Sequence, residues 1–192
     1  MSIAFEHAIG PTTVDDWLAH ENPPDGSRVE LILGYLHMNP PPTGQHQYMG
    51  DELRQVLRHA IRDGERADLY AVTGVGVQIS TSLRTALIPD VSVLNTRPAG
   101  TSFPRENLVL AVEIWSPGNS RAERDTKAAA YASADVPYFW VVDQDRIGGL
   151  RVVSHVLDNG RYVEDVVATP GKMTTIKAAP VPVTFDPADL LP

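Results

Sequence analysis

Residues 108–117, LVLAVEIWSP, constrain this chain more than any other stretch. They form an almost unbroken apolar run of strand length, rich in β-branched and large side chains. Closed by the turn signal Ser116-Pro117-Gly118, such a run predicts a strand buried on both faces, with structure packed above and below. One charge stands inside it. Burying the Glu113 carboxylate alone would cost several kcal/mol. The chain must therefore place either a structural partner or a chemical site opposite Glu113.

The other elements can be read around that strand. Thr13, followed by Asp15 and Asp16, predicts a short capped helix over 14–20. Residues 28–33 and 35–38 read as two strands around a bend at Gly34, before three prolines at 40–42 that impose a loop. Over 45–63, Met49, Leu53, Val56, Leu57, Ala60 and Ile61 recur at three- and four-residue spacings, which predicts an amphipathic helix. Segments 68–73, 74–80 and 87–94 read as strands and 95–107 as a loop. An alanine-rich helix is expected over 121–134, then a buried strand over 137–142 broken by Asp143. Asp158-Asn159-Gly160 marks a hairpin between 150–157 and 161–167, and the tail ends with a short strand near 181–185 and a turn at 186–191. With no repeat and no dividing linker, the expectation is one domain over 1–192. Its class is mixed α/β (α+β), a central mixed sheet flanked by helices with added hairpins.

Composition narrows the chemistry. The 192 residues contain no cysteine, which excludes a disulfide framework, a cysteine-held metal and a thiol nucleophile, and suits the cytoplasm. The N-terminus lacks a basic region followed by an apolar core, so no signal peptide is expected. No apolar run approaches the ~18 residues of a membrane span. The net charge of −8 opposes broad electrostatic capture of nucleic acid. A local basic strip remains available: Arg54, Arg58 and Arg62 recur at four-residue spacing beside the apolar stripe of the long helix. That row is either a solvated flank or a set of phosphate contacts.

Two carboxylates stand on successive predicted strands in apolar surroundings: Asp90, directly after Pro89, and Glu113. If the strands are neighbours, the two converge and repel, and a divalent cation relieves the repulsion. Mg²⁺ takes one or two carboxylates and keeps several waters, with the backbone carbonyl of Ile114 as a further candidate ligand. Glu123, Lys127 and Tyr131 share one helix face, which can carry Lys127 to Glu113. The same spacing also permits a plain i,i+4 pair between Glu123 and Lys127. His46 suits a cap, a surface position or an auxiliary place at the site. Glu30 alternates with apolar neighbours, as on the solvent face of an edge strand. No phosphate-binding glycine loop, nucleophile elbow or zinc spacing is present.

Pro89-Asp90, Val112-Glu113-Ile-Trp-Ser-Pro-Gly118, Lys127-Ala-Ala-Ala-Tyr131 and Val136-Pro-Tyr-Phe-Trp-Val-Val-Asp143 together resemble the Uma-two family of restriction-endonuclease-like proteins. The early block Val29-Glu30-Leu-Ile-Leu-Gly34, the His46-Gln pair and the tail Val181-Pro-Val-Thr-Phe-Asp186 resemble it too. The resemblance implies the PD-(D/E)XK nuclease fold and a phosphodiesterase core that uses Mg²⁺ or Mn²⁺. By position, Asp90 and Glu113 would be the acidic metal ligands. Glu30 would be the acidic residue of the early strand, and Lys127 the lysine supplied from the helix. One departure matters: two residues after Glu113, where the parent pattern has a lysine, stands Trp115.

These readings lead to a metal-dependent endonuclease acting on DNA, with Asp90 and Glu113 on metal and Lys127 orienting water or stabilising charge on the phosphate. Glu30, His46 and Tyr131 assist, and a homodimer is expected for a duplex cut. The other reading is a nuclease-fold module without catalysis that binds nucleic acid or a protein partner.

Overall fold

The computed structural model describes residues 9–21, 23–116, 118–144 and 149–192. The expectations about the extreme N-terminus and about Pro117 in the turn signal after Trp115 fall outside the described residues.

Helix α1 (Val14–Leu18) is closed at its start by a capping box: Thr13 Oγ1 accepts the Asp16 N–H, and the Asp16 carboxylate accepts the Thr13 N–H. It buries Val14 and Trp17, and the Trp17 indole donates to the Val29 carbonyl at 2.7 Å. Strands β1 (Arg28–Ile32) and β2 (Tyr35–Asn39) form the expected hairpin. Its two turn residues, Leu33 and Gly34, have φ of 49° and 79°, the pairing that two-residue hairpins favour. A Cβ on Gly34 would lie 2.2 Å from the Gly10 carbonyl oxygen, so only glycine fits.

Helix α2 (Gly44–Asp63) starts at Thr43 and buries Met49, Leu53, Leu57 and Ile61. Strands β3 (Tyr70–Thr73), β4 (Gly76–Ser80), β5 (Thr85–Leu87) and β6 (Val91–Leu94) follow. The single strand expected over 87–94 is therefore two, and they belong to different sheets. Pro89 is the reason: it has no N–H for the ladder and restricts Ile88 before it. Ile88, Pro89 and Asp90 thus carry the chain from one sheet to the other, and Asp90 sits at the crossing.

The segment expected as a loop over 95–107 contains β7 (Ser102–Pro104), which pairs parallel with β4, and a 3₁₀ turn at Arg105–Asn107. Phe103 is its one large apolar residue, too little for periodicity to show. Then come β8 (Leu108–Trp115), α3 (Arg121–Ser133), β9 (Tyr138–Gln144), β10 (Leu150–Asp158) and β11 (Arg161–Ala168). Asp143 does not break β9; Arg124 and Arg151 neutralise it at 3.0 and 2.7 Å. A ribbon of β12 (Thr174–Ile176), which the tail's composition does not announce, and β13 (Val183–Phe185) precedes a 3₁₀ turn at Pro187–Leu190.

Six strands form one sheet in the order β11-β10-β9-β8-β6-β3, and five form a second in the order β2-β1-β5-β4-β7. Both are mixed, with β8 parallel to β9 and β4 parallel to β7. Leu110, Val112 and Ile114 of β8 pack with α2 in one core, and Ala111 and Trp115 pack with Tyr131 and Phe139 in another. Burial on both faces is why β8 is apolar throughout. The alternation also puts Glu113 on the same side as Trp115, facing α3.

Candidate active site

Glu113 is only 2% exposed, and it is not alone. The Tyr131 hydroxyl donates to its Oε1 at 2.6 Å, and Lys127 Nζ donates to its Oε2 at 3.2 Å. Lys127 also donates to Glu30 Oε1 at 3.0 Å. Glu30 is itself saturated: Oε1 accepts the Ile88 N–H and Oε2 accepts the Asn39 amide, both at 2.8 Å. The early strand, the central strand and α3 thus meet at one lysine.

Local sequence explains how α3 delivers it. Ser120 caps the helix by accepting the Glu123 N–H, and Asn119 donates to Glu123 Oε1 at 2.9 Å. Glu123 is therefore engaged by Asn119, and Lys127, one turn further on, is left to the two buried carboxylates. The permitted Glu123–Lys127 pair does not form. Glu30 also departs from expectation: β1 lies between β2 and β5, so its side chain enters the interior rather than solvent at an edge.

Asp90 stands at the sheet crossing beside β8. Its Oδ2 accepts the Ile114 N–H at 2.9 Å, and its Oδ1 accepts from Arg28 Nη1 at 2.9 Å. Nε2 of His46, in the first turn of α2, lies 2.9 Å from the same Oδ1 but without hydrogen-bond alignment. That buried nitrogen has no aligned partner. Asp90, Glu113, Lys127, Ile114 and His46 line one cleft of about 230 Å³, walled on one side by the three prolines 40–42. Trp115 lines it too, with its ring centroid 5.8 Å from Lys127 Nζ, within cation–π range.

The electrostatics follow from one amine between two carboxylates. Burial pushes the Glu113 carboxyl up to about 8; Lys127 opposes the shift, and the Asp90 and Glu30 charges add to it. Burial lowers Lys127, but the Glu113 and Glu30 charges outweigh it and hold the amine above its usual range. Glu113 is thus the member of the cluster that burial drives toward its neutral form. Burial, with the same two carboxylates, holds the Tyr131 phenol well above its usual value, so it remains a donor. Asp90 behaves oppositely. Burial raises it, but His46, the Ile114 N–H and Arg28 together bring it below the ordinary carboxylate range.

Restriction-endonuclease-like proteins generally use divalent metals, and the residues here suit one. His46 Nε2, buried and without an aligned hydrogen bond, stands 2.9 Å from Asp90 Oδ1, and Glu113 lines the same cleft with a charge that burial disfavours. Among the described residues no three His, Asp or Glu side chains already form a ligand cluster. The fit is thus to a cation that keeps its own waters, as Mg²⁺ and Mn²⁺ do, rather than to a closed cage. Ile114 meets Asp90 through its N–H.

Arg54, Arg58 and Arg62 do not line this cleft. With Arg66, Tyr70 and Pro98 they border a separate surface groove of about 660 Å³ beside the edge strand β3. Arg54, Arg62 and Arg66 have acidic neighbours at 3.9, 3.4 and 2.7 Å, whereas Arg58 has no ion pair among the described residues. Beyond the groove, β3 ends at Thr73, and the N–H of the next residue, Gly74, donates to the Asp90 carbonyl. Arg28 and Asn39 are among the cleft residues that escaped the sequence reading. Arg28 had a usable signal, since it precedes Glu30 by two on a strand and so shares its face.

Comparison with known proteins agrees with this architecture. Among curated proteins nothing matches the sequence. One solved structure, a "putative nuclease belonging to DUF820" from Anabaena variabilis, superposes with a TM-score of 0.68 over 94% of this chain and 97% of its own, at 18% identity, which establishes the shared fold. The model of the Uma-two family, described as "Putative restriction endonuclease", matches residues 14–186. With nearly the whole chain covered, the protein belongs to that family.

Proposed function

We propose that this protein is a divalent-metal-dependent endonuclease that hydrolyses DNA phosphodiester bonds. The observation that carries the reading is the meeting of Asp90, His46, Glu113 and Lys127 in one cleft of a chain from a nuclease family. Asp90 and Glu113, with the Ile114 carbonyl, would hold Mg²⁺ or Mn²⁺, which supplies Lewis-acid activation of water and of the phosphate. Water attacks phosphorus, a P–O bond forms as the ester P–O bond breaks, and the departing alkoxide takes up a proton. Glu30 and Tyr131 fix Lys127 and Glu113 in place. Lys127 orients the water and offsets charge near Glu113. His46 supports Asp90. Arg54, Arg58 and Arg62 would bind backbone phosphates outside the cleft; their four-residue spacing corresponds to ~6 Å of rise along the helix. A cut in both strands calls for two such sites, which a homodimer would supply.

The test is cleavage of plasmid and linear DNA with Mg²⁺ or Mn²⁺ by the wild type, Asp90→Ala and Glu113→Ala. Cleavage by the wild type alone supports the reading. Equal survival of DNA in all three, across substrates, refutes it. A nuclease-fold module without catalysis is favoured by one observation, the engagement of Lys127 by two carboxylates under Trp115. In that case Glu113→Gln leaves Mn²⁺ binding absent, as in the wild type, and changes stability only.

A further inference from the structure

Hydrolysis of a phosphodiester places growing negative charge on the non-bridging oxygens, and a preorganised cation there is worth far more in a closed cleft than in water. Neither expected amine is placed to supply it. The position two residues after Glu113 holds Trp115. The Lys127 side chain is 6% exposed and donates to both Glu30 and Glu113, so turning it to a phosphate would strand two buried carboxylates.

Arg28 is differently placed. It opens β1, shares a strand face with Glu30, and lines the cleft. Its side chain is 28% exposed. Among the described residues one of its five N–H donors is engaged, by Asp90 at 2.9 Å. The turn at Gly74 (φ 62°) passes beside it: a Cβ there would stand 3.4 Å from Arg28 Nη2. The guanidinium therefore lies against backbone on one side and open cleft on the other.

We propose that Arg28 is the phosphate-contacting cation of the site, with Asp90 as its counter-ion in the absence of metal and substrate. The proposal rests on the nuclease reading above. Once Asp90 turns to a divalent cation, the Arg28 donor now held by Oδ1 is released, and the planar fork meets two oxygens of the scissile phosphate. Arg28 then stabilises the charge that builds there, and Lys127 remains with its carboxylates.

The proposal separates two effects that a structural pairing would not. Arg28→Gln removes a competitor from Asp90, so Mn²⁺ titrated into the free protein binds several-fold more tightly than to the wild type. The same change removes one phosphate contact. Binding of a short DNA duplex in Ca²⁺ then loses about one unit of its log–log salt slope, and cleavage falls by ~10²–10³ in kcat. Arg28→Lys, which keeps the charge beside Asp90, restores the salt slope but only part of the rate, because a point charge replaces the fork. If Arg28→Gln weakens Mn²⁺ binding or leaves the salt slope and rate unchanged, Arg28 merely positions Asp90 and the proposal is overturned. If the wild type binds neither Mn²⁺ nor DNA, the nuclease reading itself fails and takes this one with it.

Discussion

Lys127 Nζ stands 3.2 Å from Glu113 Oε2, in a pocket of the core where neither side chain meets solvent appreciably. The amine comes from the middle of α3 and the carboxylate from near the C-terminal end of β8, fourteen residues earlier. A buried pair of this kind is weak evidence for stability but strong evidence that neither partner can be removed alone.

Lys127→Met should therefore destabilise the protein by about 3–5 kcal/mol, because Glu30 and Glu113 lose their shared partner. Combining it with Glu30→Gln and Glu113→Gln should recover a large part of that loss. Denaturant unfolding measures both. A single variant as stable as the wild type would show that the cluster reorganises or takes up protons without strain.

Stability should also depend on pH through Glu113. Its folded value of about 8 lies above the ordinary 4.5, so the folded protein holds a proton that the unfolded chain releases. That contribution is fully present below about 4.5 and is lost as pH rises through about 8. Melting temperature should fall across that window without metal, and Glu113→Gln should flatten the slope. Mn²⁺ should bind more tightly as pH rises, with proton release measurable by titration in buffers of different ionisation enthalpy. A flat profile in the wild type would show that Glu113 is already ionised in the fold.

The arginine groove gives a prediction independent of the cleft. Arg58→Ala should weaken DNA binding about equally for all sequences and lower the salt slope by about one, with stability changed by no more than about 0.5 kcal/mol. Unchanged binding in this variant and in Arg54→Ala would mark the row as a solvated flank.

Gly34→Ala tests the hairpin that presents Arg28 and Glu30. The positive φ and the approach to Gly10 leave no room for a methyl group. A loss of more than about 1 kcal/mol is expected, measured by thermal unfolding. A neutral result would mean that the Gly10 segment moves aside.

Periodicity and turn chemistry made much of the fold legible. The capped start at Thr13, the bend at Gly34, the α2 stripe and the Asn159-Gly160 turn are local signals, and each lies where the chain places it. Sequence alone also singled out Glu113, because a lone carboxylate in a doubly buried strand has few tolerable explanations. Other features were decided by partners distant in sequence. Strand β7 exists because β4 lies beside it, and the break at Pro89 matters because two sheets meet there. Glu30 looked like an edge residue until β5 paired on its other side. The choice of Lys127 between Glu123 and Glu113 turned on Asn119, which engages Glu123 first. Arg28 shares a face with Glu30, which spacing reports, but its pairing depends on Asp90, 62 residues away. Spacing along a chain reports which residues share a face. Only packing decides what that face meets, and in a buried cleft the identity of that partner sets charge, protonation and chemistry.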